Sequence, residues 1–359
     1  MSPDSLKICF TFGKLLAPFY SLAMRLRAAL YANGLFSSEK LSLPVISIGN
    51  LTMGGTGKTP VVMYIVRLLG QEYKPAVISR GYGGKSVKPV TIVSDGQSVL
   101  LGPDAAGDEP VLLAQALPGV PVLTGAKRVK TGRHIEAGRL ADLIVMDDGF
   151  QHLALARDLN LVLFSGDELL GDGWVFPGGV LREPVSALGR ADAFIITGVT
   201  EQNKAKVEKF KDRLGHRFSD TPIFDIHYRI AGFVAHGTDP QQLPVAALLG
   251  KKLFGFCGIA KPEGFFSALR GAGLLLSGMQ AFADHHRYSE NDLRLLSEGA
   301  QQAGCDGLVT TAKDFVKVKN MSVPLPIWVA QLNLIASHDF DMFVLGTVRR
   351  AGAALNADI

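Results

Sequence analysis

A glycine-rich segment between residues 49 and 59 has the residue types and spacing of a phosphate-binding loop. It reads GNLTMGGTGKT, follows an apolar run at residues 45–48 and leads into a helical pattern. In a strand–loop–helix unit of this kind, backbone N–H groups cradle phosphates, Lys58 reaches the β- and γ-phosphate oxygens, and Thr59 binds Mg²⁺. Thr52 stands where the Walker A pattern usually has its first glycine. We expect a nucleotide to be bound by Thr52, Met53, Gly54, Gly55, Thr56, Gly57, Lys58 and Thr59.

Two consecutive carboxylates, Asp147 and Asp148, follow a second apolar run at residues 143–146. If that run is a parallel strand of the same sheet, its carboxyl end faces the crevice that holds the phosphate loop. One carboxylate can hold Mg²⁺, directly or through water, and the other can organise the acceptor or the metal ligands. An acidic pair after a strand can also cap a helix, so the prediction depends on the phosphate loop. We assign Thr59 and Asp147 to the metal. No Asn-Lys-x-Asp motif follows. GTPases use that motif to recognise guanine, so its absence from the sequence argues against a GTPase.

The first 40 residues are basic and amphipathic. No acidic residue lies between Asp4 and Glu39, and the charge-free stretches there, such as residues 15–24, are shorter than the roughly 20 apolar residues of a spanning helix. Basic amphipathic helices with aromatic residues are typical of membrane surfaces, whereas a helix packed on the domain is the alternative. We favour the membrane surface for a helix that begins near Pro18. Its apolar face would consist of Leu15, Phe19, Leu22, Leu26 and Leu30.

From residue 45 onward, short Val/Ile/Leu-rich runs alternate with amphipathic helical patterns. This alternation predicts an α/β fold of the P-loop NTPase type, with a mostly parallel sheet and helices on both faces. A polar, irregular segment is expected from Thr221 to Pro244, after which strand and helix patterns resume. We therefore predict an amphipathic helix in residues 1–40, a P-loop core in 41–222, a linker in 223–248 and a smaller α/β domain in 249–359.

Composition supports a folded protein without a disulfide framework. Of 359 residues, 47% are hydrophobic and 19% charged, which excludes a disordered chain. The formal net charge of +4 is too weak to indicate a nucleic-acid partner, and no nucleic-acid module is visible. Three widely spaced cysteines without a CxxC motif exclude a zinc ribbon and suit a reducing compartment.

Further motifs extend the pattern over most of the chain. They are SRGYGG at residues 79–84, GDEP at 107–110, DDGFQH at 147–152, PGGVLREP at 177–184, DHH at 284–286 and TTAKD at 310–314. With the phosphate loop, this series resembles the tetraacyldisaccharide 4'-kinase family, which phosphorylates a membrane-embedded acylated glucosamine disaccharide in lipid A biosynthesis. The chain departs from the family at Ala312, where glutamate is more frequent, so a role for that side chain is in doubt.

The resemblance implies ATP and Mg²⁺ as cofactors and a role for each matching residue. Lys58, Asp147 and Asp148 would serve the reaction centre. Asp108 would form a base dyad with His285, for which His286 is the alternative. The substrate or nucleotide pocket would be lined by Arg128, Gln151, His152, Arg182 and Glu183.

The resemblance also implies the partners. They are an acylated glucosamine disaccharide 1-phosphate and the membrane surface, at the cytoplasmic face of the inner membrane of a Gram-negative bacterium, with no nucleic acid. Basic residues after the apolar run at 120–123 are candidates for holding the 1-phosphate. A solvated basic face is the alternative. These residues are Lys127, Arg128, Lys130 and Arg133, together with His134.

Two other functions compete with a lipid kinase. Membrane-associated P-loop switch ATPases of the partition or septum-site type carry a lysine before the glycine pair, but Met53 occupies that position here. A nucleotide-binding scaffold without an acceptor is the second alternative. Asp108 and the distant residues 284–286 favour chemistry on an acceptor, so we expect direct transfer of the ATP γ-phosphoryl group to the 4'-hydroxyl.

Overall fold

A computed structural model describes residues 10–54, 56–86, 88–200, 202–235, 241–259, 262–284 and 286–357. Gly55 and His285, both predicted for the site, lie outside the described residues. None of the helices in these ranges is long and apolar enough to cross a membrane.

The chain forms two lobes that share one strand, β8 (Ile223–Ala235). The N-terminal lobe contains α1 (Ala17–Ala32), β1 (Val45–Asn50), α2 (Lys58–Leu69), β2 (Pro75–Ser79), β3 (Thr91–Asp95), α3 (Pro103–Ala106), α4 (Asp108–Ala116), β4 (Pro121–Thr124), α5 (Arg128–Gly138), β5 (Leu143–Asp147), β6 (Leu159–Ser165), a 3₁₀ helix at Val185–Arg190, β7 (Ala193–Thr197) and α6 (Lys204–Arg217).

The C-terminal lobe follows β8. It contains β9 (Gln241–Pro244), a 3₁₀ helix at Val245–Leu248, β10 (Lys252–Cys257), α7 (Pro262–Gly271), β11 (Leu275–Ala281), α8 (Glu290–Gln302), β12 (Gly307–Thr311), α9 (Ala312–Val318) and β13 (Ile327–Ile335). The last helix, α10 (His338–Ala357), returns to the N-terminal lobe.

The strands of the described ranges join into one sheet in the order β11-β10-β12-β13-β8-β7-β6-β1-β5-β2-β4-β3, with β9 beside β8. Every neighbouring pair is parallel except β3–β4, β8–β9 and β8–β13. Strand β1 lies between β6 and β5, so the chain order reverses at its two sides. Such a switch point opens a crevice at the carboxyl ends of the strands. This architecture confirms the predicted α/β class with a mostly parallel sheet.

Buried strands and amphipathic helices form the core of the N-terminal lobe on both faces of the sheet. On α2, the buried residues Val61, Ile65 and Leu69 recur at helical spacing and pack against β1, β5 and β2. The opposite face is covered by α5 through Ile135, which packs with Ile144 of β5. Separate apolar clusters fill the C-terminal lobe.

The segment predicted as an irregular linker is instead a strand. Its first residues, Ile223–Ile226, pair with β7, and the following residues, 227–235, pair with β13. Strand β8 thus passes from the sheet of one lobe to the sheet of the other, and the expectation of an irregular segment was wrong. The domain limits themselves stay a prediction.

The last helix differs from its predicted place in the smaller domain. Phe340, Val344 and Val348 of α10 recur every fourth residue and are buried in the core of the N-terminal lobe. On its polar side, Asp341 accepts a 2.7 Å hydrogen bond from the hydroxyl of Tyr64 in α2. Helix α10 therefore packs into the core of the N-terminal lobe, and none of its described side chains belongs to the apolar clusters of the C-terminal lobe.

Candidate active site

The register of the central strands brings the two nucleotide-site motifs together. In parallel β1 and β5, Ile48 lies opposite Asp147, so the phosphate loop and the carboxylate pair leave the sheet side by side. Gly49 at the start of the loop passes so close to Phe150 that a Cβ atom would lie 2.6 Å from its Cβ. A side chain at position 49 would push the two motifs apart.

Two hydroxyl groups hold the backbone of the phosphate loop. Thr197, at the end of β7, donates a 3.0 Å hydrogen bond to the carbonyl of Thr56, and Tyr228 of β8 donates one of 3.0 Å to that of Gly57. Gly57 has a φ of 77°, which glycine adopts without strain, and it caps the start of α2. The loop is thus fixed from the strand side before its helix begins.

Lys58 lies at the centre of a charged network. Its Nζ donates to Asn50 Oδ1 at 3.1 Å and lies 3.4 Å from Asp148 Oδ1. Arg182 reaches the same carboxylate, with Nη1 at 2.8 Å and 3.0 Å from its two oxygens. Burial opposes ionisation of Asp148, but Lys58 and Arg182 outweigh it and lower its pKa. The structure therefore unites the predicted Lys58, Asp148 and Arg182.

The segment at residues 177–184 reaches the site because it pairs with the start of the phosphate loop. Met53 N–H donates to the carbonyl of Val180 at 2.7 Å, and Arg182 N–H donates to that of Leu51 at 2.8 Å. Thr52 forms a β-bridge with Leu181. These contacts explain how a residue distant in sequence, Arg182, comes to face Asp148.

Asp147 is buried, and its pKa is shifted in the opposite direction from that of Asp148. Burial, followed by the carboxylates of Glu109 and Asp148, raises its pKa to about 7. One oxygen accepts a 3.1 Å hydrogen bond from Ser79, and Oδ1 is buried without a hydrogen-bond partner among the described residues. A buried carboxylate oxygen in this state fits a divalent cation, because a cation stabilises the ionised form that burial disfavours.

The raised pKa of Asp147 predicts how Mg²⁺ binding depends on pH. Because the proton must leave before the cation binds, apparent Mg²⁺ affinity should increase by up to tenfold per pH unit below about 7 and level off above it. Titration calorimetry of the ATP-bound protein between pH 5.5 and 8 measures this, and Asp147→Asn serves as the control that subtracts the titration of ATP itself. A wild-type slope equal to that of Asp147→Asn would contradict the assignment.

Arg128, Gln151 and His152 lie on the wall of the same cleft. Gln151 Nε2 donates to the carbonyl of Asn50 at 2.9 Å, which ties this wall to the phosphate loop. Burial, together with Arg128 and three other arginines, lowers the pKa of His152 to about 4, so its imidazole is neutral at pH 7. The Nε atom of Arg128 and Nε2 of His152 are buried without hydrogen-bond partners in the described ranges. Both groups are suited to a polar ligand.

The remaining predicted substrate residues separate into two groups. Glu183 lines the cleft but is bound to Arg190, whose Nη2 lies 2.6 Å from its Oε2. Among the basic residues at positions 127–133, Arg128 is buried at the cleft, whereas Arg133 is exposed and pairs with Glu39. The run is therefore not one continuous anion site.

Asp108, the predicted base, is buried at the first residue of α4 with its Oδ2 3.2 Å from Lys317 Nζ. Its neighbour Glu109 lines the cleft and lies 3.5 Å from Lys313 Nζ. The alternative histidine, His286, is engaged elsewhere: its Nε2 is 3.2 Å from Asp292 Oδ2, and its ring stacks on Phe282 with centroids 4.6 Å apart.

Several cleft residues were not predicted from the sequence. Glu109 is adjacent to Asp108 in the GDEP motif, and that adjacency was the available signal. Asn50 and Ser79 are small polar residues at strand ends, which carry little signal alone. Thr197 and Tyr228 contact the loop from 141 and 171 residues away in sequence, a distance that spacing does not reveal.

The first helix borders the cleft and exposes its apolar side. Arg27 Nη2 donates to the carbonyl of Gln151 at 3.2 Å, and Tyr20 donates to that of Arg182 at 3.4 Å. Ala17 is the buried residue of α1, whereas Phe19 is 73% and Leu22 65% exposed. An apolar face this exposed differs from that of a helix packed on the domain.

The cleft between the lobes has a volume of about 1820 Å³ and is lined by the phosphate loop, both carboxylates, α1 and residues of β8, β13 and α9. A family model described as tetraacyldisaccharide-1-P 4'-kinase matches residues 11–349. The chain belongs to the tetraacyldisaccharide 4'-kinase family. This confirms the predicted resemblance and the prediction that the chain is a kinase of lipid A biosynthesis.

Relatives and a solved structure of this kinase family agree over nearly the whole chain. The tetraacyldisaccharide 4'-kinase of Desulfotalea psychrophila is 44% identical over 96% of this chain and 98% of its own. The tetraacyldisaccharide 4'-kinase of Syntrophus aciditrophicus is 42% identical over 84% of this chain and 83% of its own. A crystal structure of LpxK from Aquifex aeolicus in complex with ATP is 28% identical, covers 93% of this chain and 97% of its own, and superimposes with a TM-score of 0.73.

Proposed function

We propose that the cleft binds ATP at the phosphate loop and the sugar end of tetraacyldisaccharide 1-phosphate beside Arg128 and Gln151. The γ-phosphoryl group then passes to the free 4'-hydroxyl, giving ADP and the 1,4'-bisphosphate, lipid IVA. The observation that carries this proposal is the network of Lys58, Asp148 and Arg182, because it joins the phosphate loop to the wall that would hold the acceptor.

Within this proposal, Lys58 and the loop N–H groups take up the charge that develops on the transferring group. A loose transition state spreads charge over the phosphoryl oxygens, so donors fixed in advance contribute more than strong bases do. Asp148 and Asn50 hold the Lys58 ammonium at the loop. Thr59 and Asp147 would hold Mg²⁺, which would supply neutralisation of the phosphate charge.

Asp108 and His285 are proposed to orient the acceptor hydroxyl and to receive its proton as the P–O bond forms. Two features support this assignment: Asp108 lies at the boundary between the lobes beside Lys317, and the alternative His286 is already bound to Asp292.

The cleft wall that carries Arg128, Gln151 and His152 is proposed to bind the 1-phosphate already present on the disaccharide. Burial lowers the pKa of Arg128 and Arg80 adds repulsion, while Asp148 opposes both effects, so a bound anion would further stabilise this guanidinium. A neutral His152 can donate or accept a hydrogen bond at the same place. Gln151, Arg182 and Glu183 complete the proposed substrate contacts.

We also propose that α1 binds the cytoplasmic surface of the inner membrane and brings the cleft to its lipid. The helix exposes Phe19, Leu22 and Leu26, and Leu15 just before it is exposed as well, while Arg27 joins the helix to the cleft wall. Burying large apolar side chains in a bilayer interface is worth roughly 1.5–3 kcal/mol each. A protein oriented in this way can take a sugar headgroup from the surface without extracting the acyl chains.

Changing Leu15, Phe19 and Leu22 to serine should abolish co-sedimentation with vesicles and raise the apparent KM for the lipid, because the anchoring surface is lost. ATP affinity and the melting temperature should stay close to wild type, since these side chains are exposed. The matched control replaces Leu295 and Met342, exposed apolar residues of α8 and α10, with serine. Unchanged vesicle binding in the triple variant, or loss of the fold, would contradict a membrane-binding role.

A coupled assay of ATP consumption distinguishes the proposed kinase from a switch ATPase. The purified protein with ATP and Mg²⁺ should consume ATP only when tetraacyldisaccharide 1-phosphate is added. ATP consumption that is independent of the glycolipid, or that vesicles without the disaccharide stimulate, would favour the switch ATPase.

A further inference from the structure

The TTAKD motif, which has no role in the transfer described above, opens a helix that carries two lysines, Lys313 and Lys317, at the boundary between the lobes. Helix α9 begins at this motif, and Thr311 caps it by accepting a 3.1 Å hydrogen bond from Asp314 N–H. Lys313 and Lys317 lie one helical turn apart and therefore share a face. That face meets the start of α4, whose first residues are Asp108 and Glu109.

Lys313 lies between carboxylates of different lobes. Its Nζ is 3.5 Å from Glu109 Oε1 in the N-terminal lobe and 3.4 Å from Asp284 Oδ1 in the C-terminal lobe. Only 18% of its side chain is exposed. Burial alone would lower the pKa of this ammonium group, but Glu109, Asp284 and Asp108 outweigh burial and raise it. The bridge is therefore charged at neutral pH and shielded from solvent more than an ordinary surface ion pair is.

Both ends of this bridge belong to the proposed reaction centre. Glu109 is close enough to Asp147 to raise the pKa of that carboxyl, and Asp284 immediately precedes His285. The position of Asp284 relative to α4 therefore depends on what joins Glu109 to Asp284. In the described residues, Lys313 makes that connection.

We propose that Lys313 is a positioning residue that bridges Glu109 and Asp284 and so holds Asp284 against the start of α4. The proposal rests on the proposed function for its effect on turnover. It does not need Lys313 to touch the nucleotide. A direct phosphate contact by Lys313 is the competing account, and the two differ in which kinetic constant changes.

The test compares Lys313→Met, which keeps the length and removes the charge, with Lys313→Arg, which keeps the charge. If Lys313 sets the geometry, Lys313→Met should lower kcat by about 10²-fold, the loss typical of a small misplacement of reacting groups, with the KM for ATP changed less than threefold. Lys313→Arg should restore most of kcat. Lys319→Met, which removes the lysine immediately after the same helix, should behave as wild type.

A double-mutant cycle with Asp284→Asn and a measurement without turnover complete the test. Lys313→Met combined with Asp284→Asn should be little worse than the worse single variant, because both break the same bridge. Hydrogen exchange at the start of α4 should increase in Lys313→Met and not in Lys319→Met. The hydrogen-exchange measurement does not require that the wild-type protein phosphorylates the lipid. It therefore distinguishes a wrong assignment of the Lys313 bridge from a wrong assignment of the function.

Three outcomes would overturn the bridge. The first is wild-type kcat and exchange in Lys313→Met. The second is a higher KM for ATP with kcat unchanged, which indicates a direct phosphate contact. The third is a Lys313→Arg variant as slow as Lys313→Met, which indicates that the ammonium group is needed for something other than bridging charge.

Discussion

Lys58→Ala should lower kcat for lipid phosphorylation by about 10²–10³-fold or more, because it removes a charged donor held in place before the reaction starts. Lys58 Nζ lies 3.1 Å from Asn50 Oδ1 and 3.4 Å from Asp148 Oδ1, so its ammonium group is held at the phosphate loop by the protein itself. In the Lys58→Ala variant, neither a water molecule nor a flexible lysine elsewhere replaces the positive charge that Lys58 holds at the phosphate loop. The expected loss is therefore in turnover more than in lipid binding.

The fold should survive this substitution, because Asp148 keeps its two hydrogen bonds to Arg182. Lys209→Ala, at an exposed position of α6, is the matched control for loss of a lysine and should keep wild-type turnover. Circular dichroism and thermal melting establish that each variant is folded. A folded Lys58→Ala protein with near-normal kcat would contradict the assignment of the phosphate loop.

Asp108→Asn and His285→Ala should each lower kcat by about 10²–10⁴-fold with little change in ATP affinity, if the two residues orient the acceptor and accept its proton. Their combination should be little worse than the worse single variant, because residues that act as a unit are not additive. Asparagine is the informative replacement for the buried Asp108, since it keeps the shape and removes the charge that faces Lys317. Steady-state kinetics with both substrates measures these effects.

His286→Ala is the internal control for the dyad. Because His286 is bound to Asp292 and stacked on Phe282, its loss should lower the melting temperature more than kcat. Multiplicative losses in the Asp108→Asn, His285→Ala double variant would mean that the two residues act independently. A crippled His286→Ala beside a normal His285→Ala would show that the base is the other histidine.

The parts of the fold that short patterns determine were predictable. The phosphate loop and the carboxylate pair each follow an apolar strand directly, and parallel strands of one sheet end at the same edge, so their meeting in one cleft followed from the pattern alone. The alternation of strands and helices gave the α/β class for the same reason. Residues such as Arg128 and Arg182 depended on the family resemblance, and the structure brings both to the cleft.

The parts that long-range pairing determines were not predictable from local patterns. Strand β8 carries polar residues and reads as irregular, yet two different neighbours, β7 and β13, stabilise it along its length. Helix α10 shows an apolar stripe at Phe340, Val344 and Val348, but a stripe does not tell which lobe it covers. The same holds for Lys313 and Lys317, whose partners in α4 are more than 200 residues away.

The identity of the phosphorylated product tests the central claim most directly. Purified protein incubated with ATP, Mg²⁺ and tetraacyldisaccharide 1-phosphate should yield one new lipid, heavier by one phosphate, and ³¹P NMR should show two phosphomonoesters, one at the original 1-position and one at the 4'-position. A pyrophosphate at the 1-position, a phosphate at another hydroxyl, or ATP hydrolysis without a new lipid would contradict transfer to the 4'-hydroxyl.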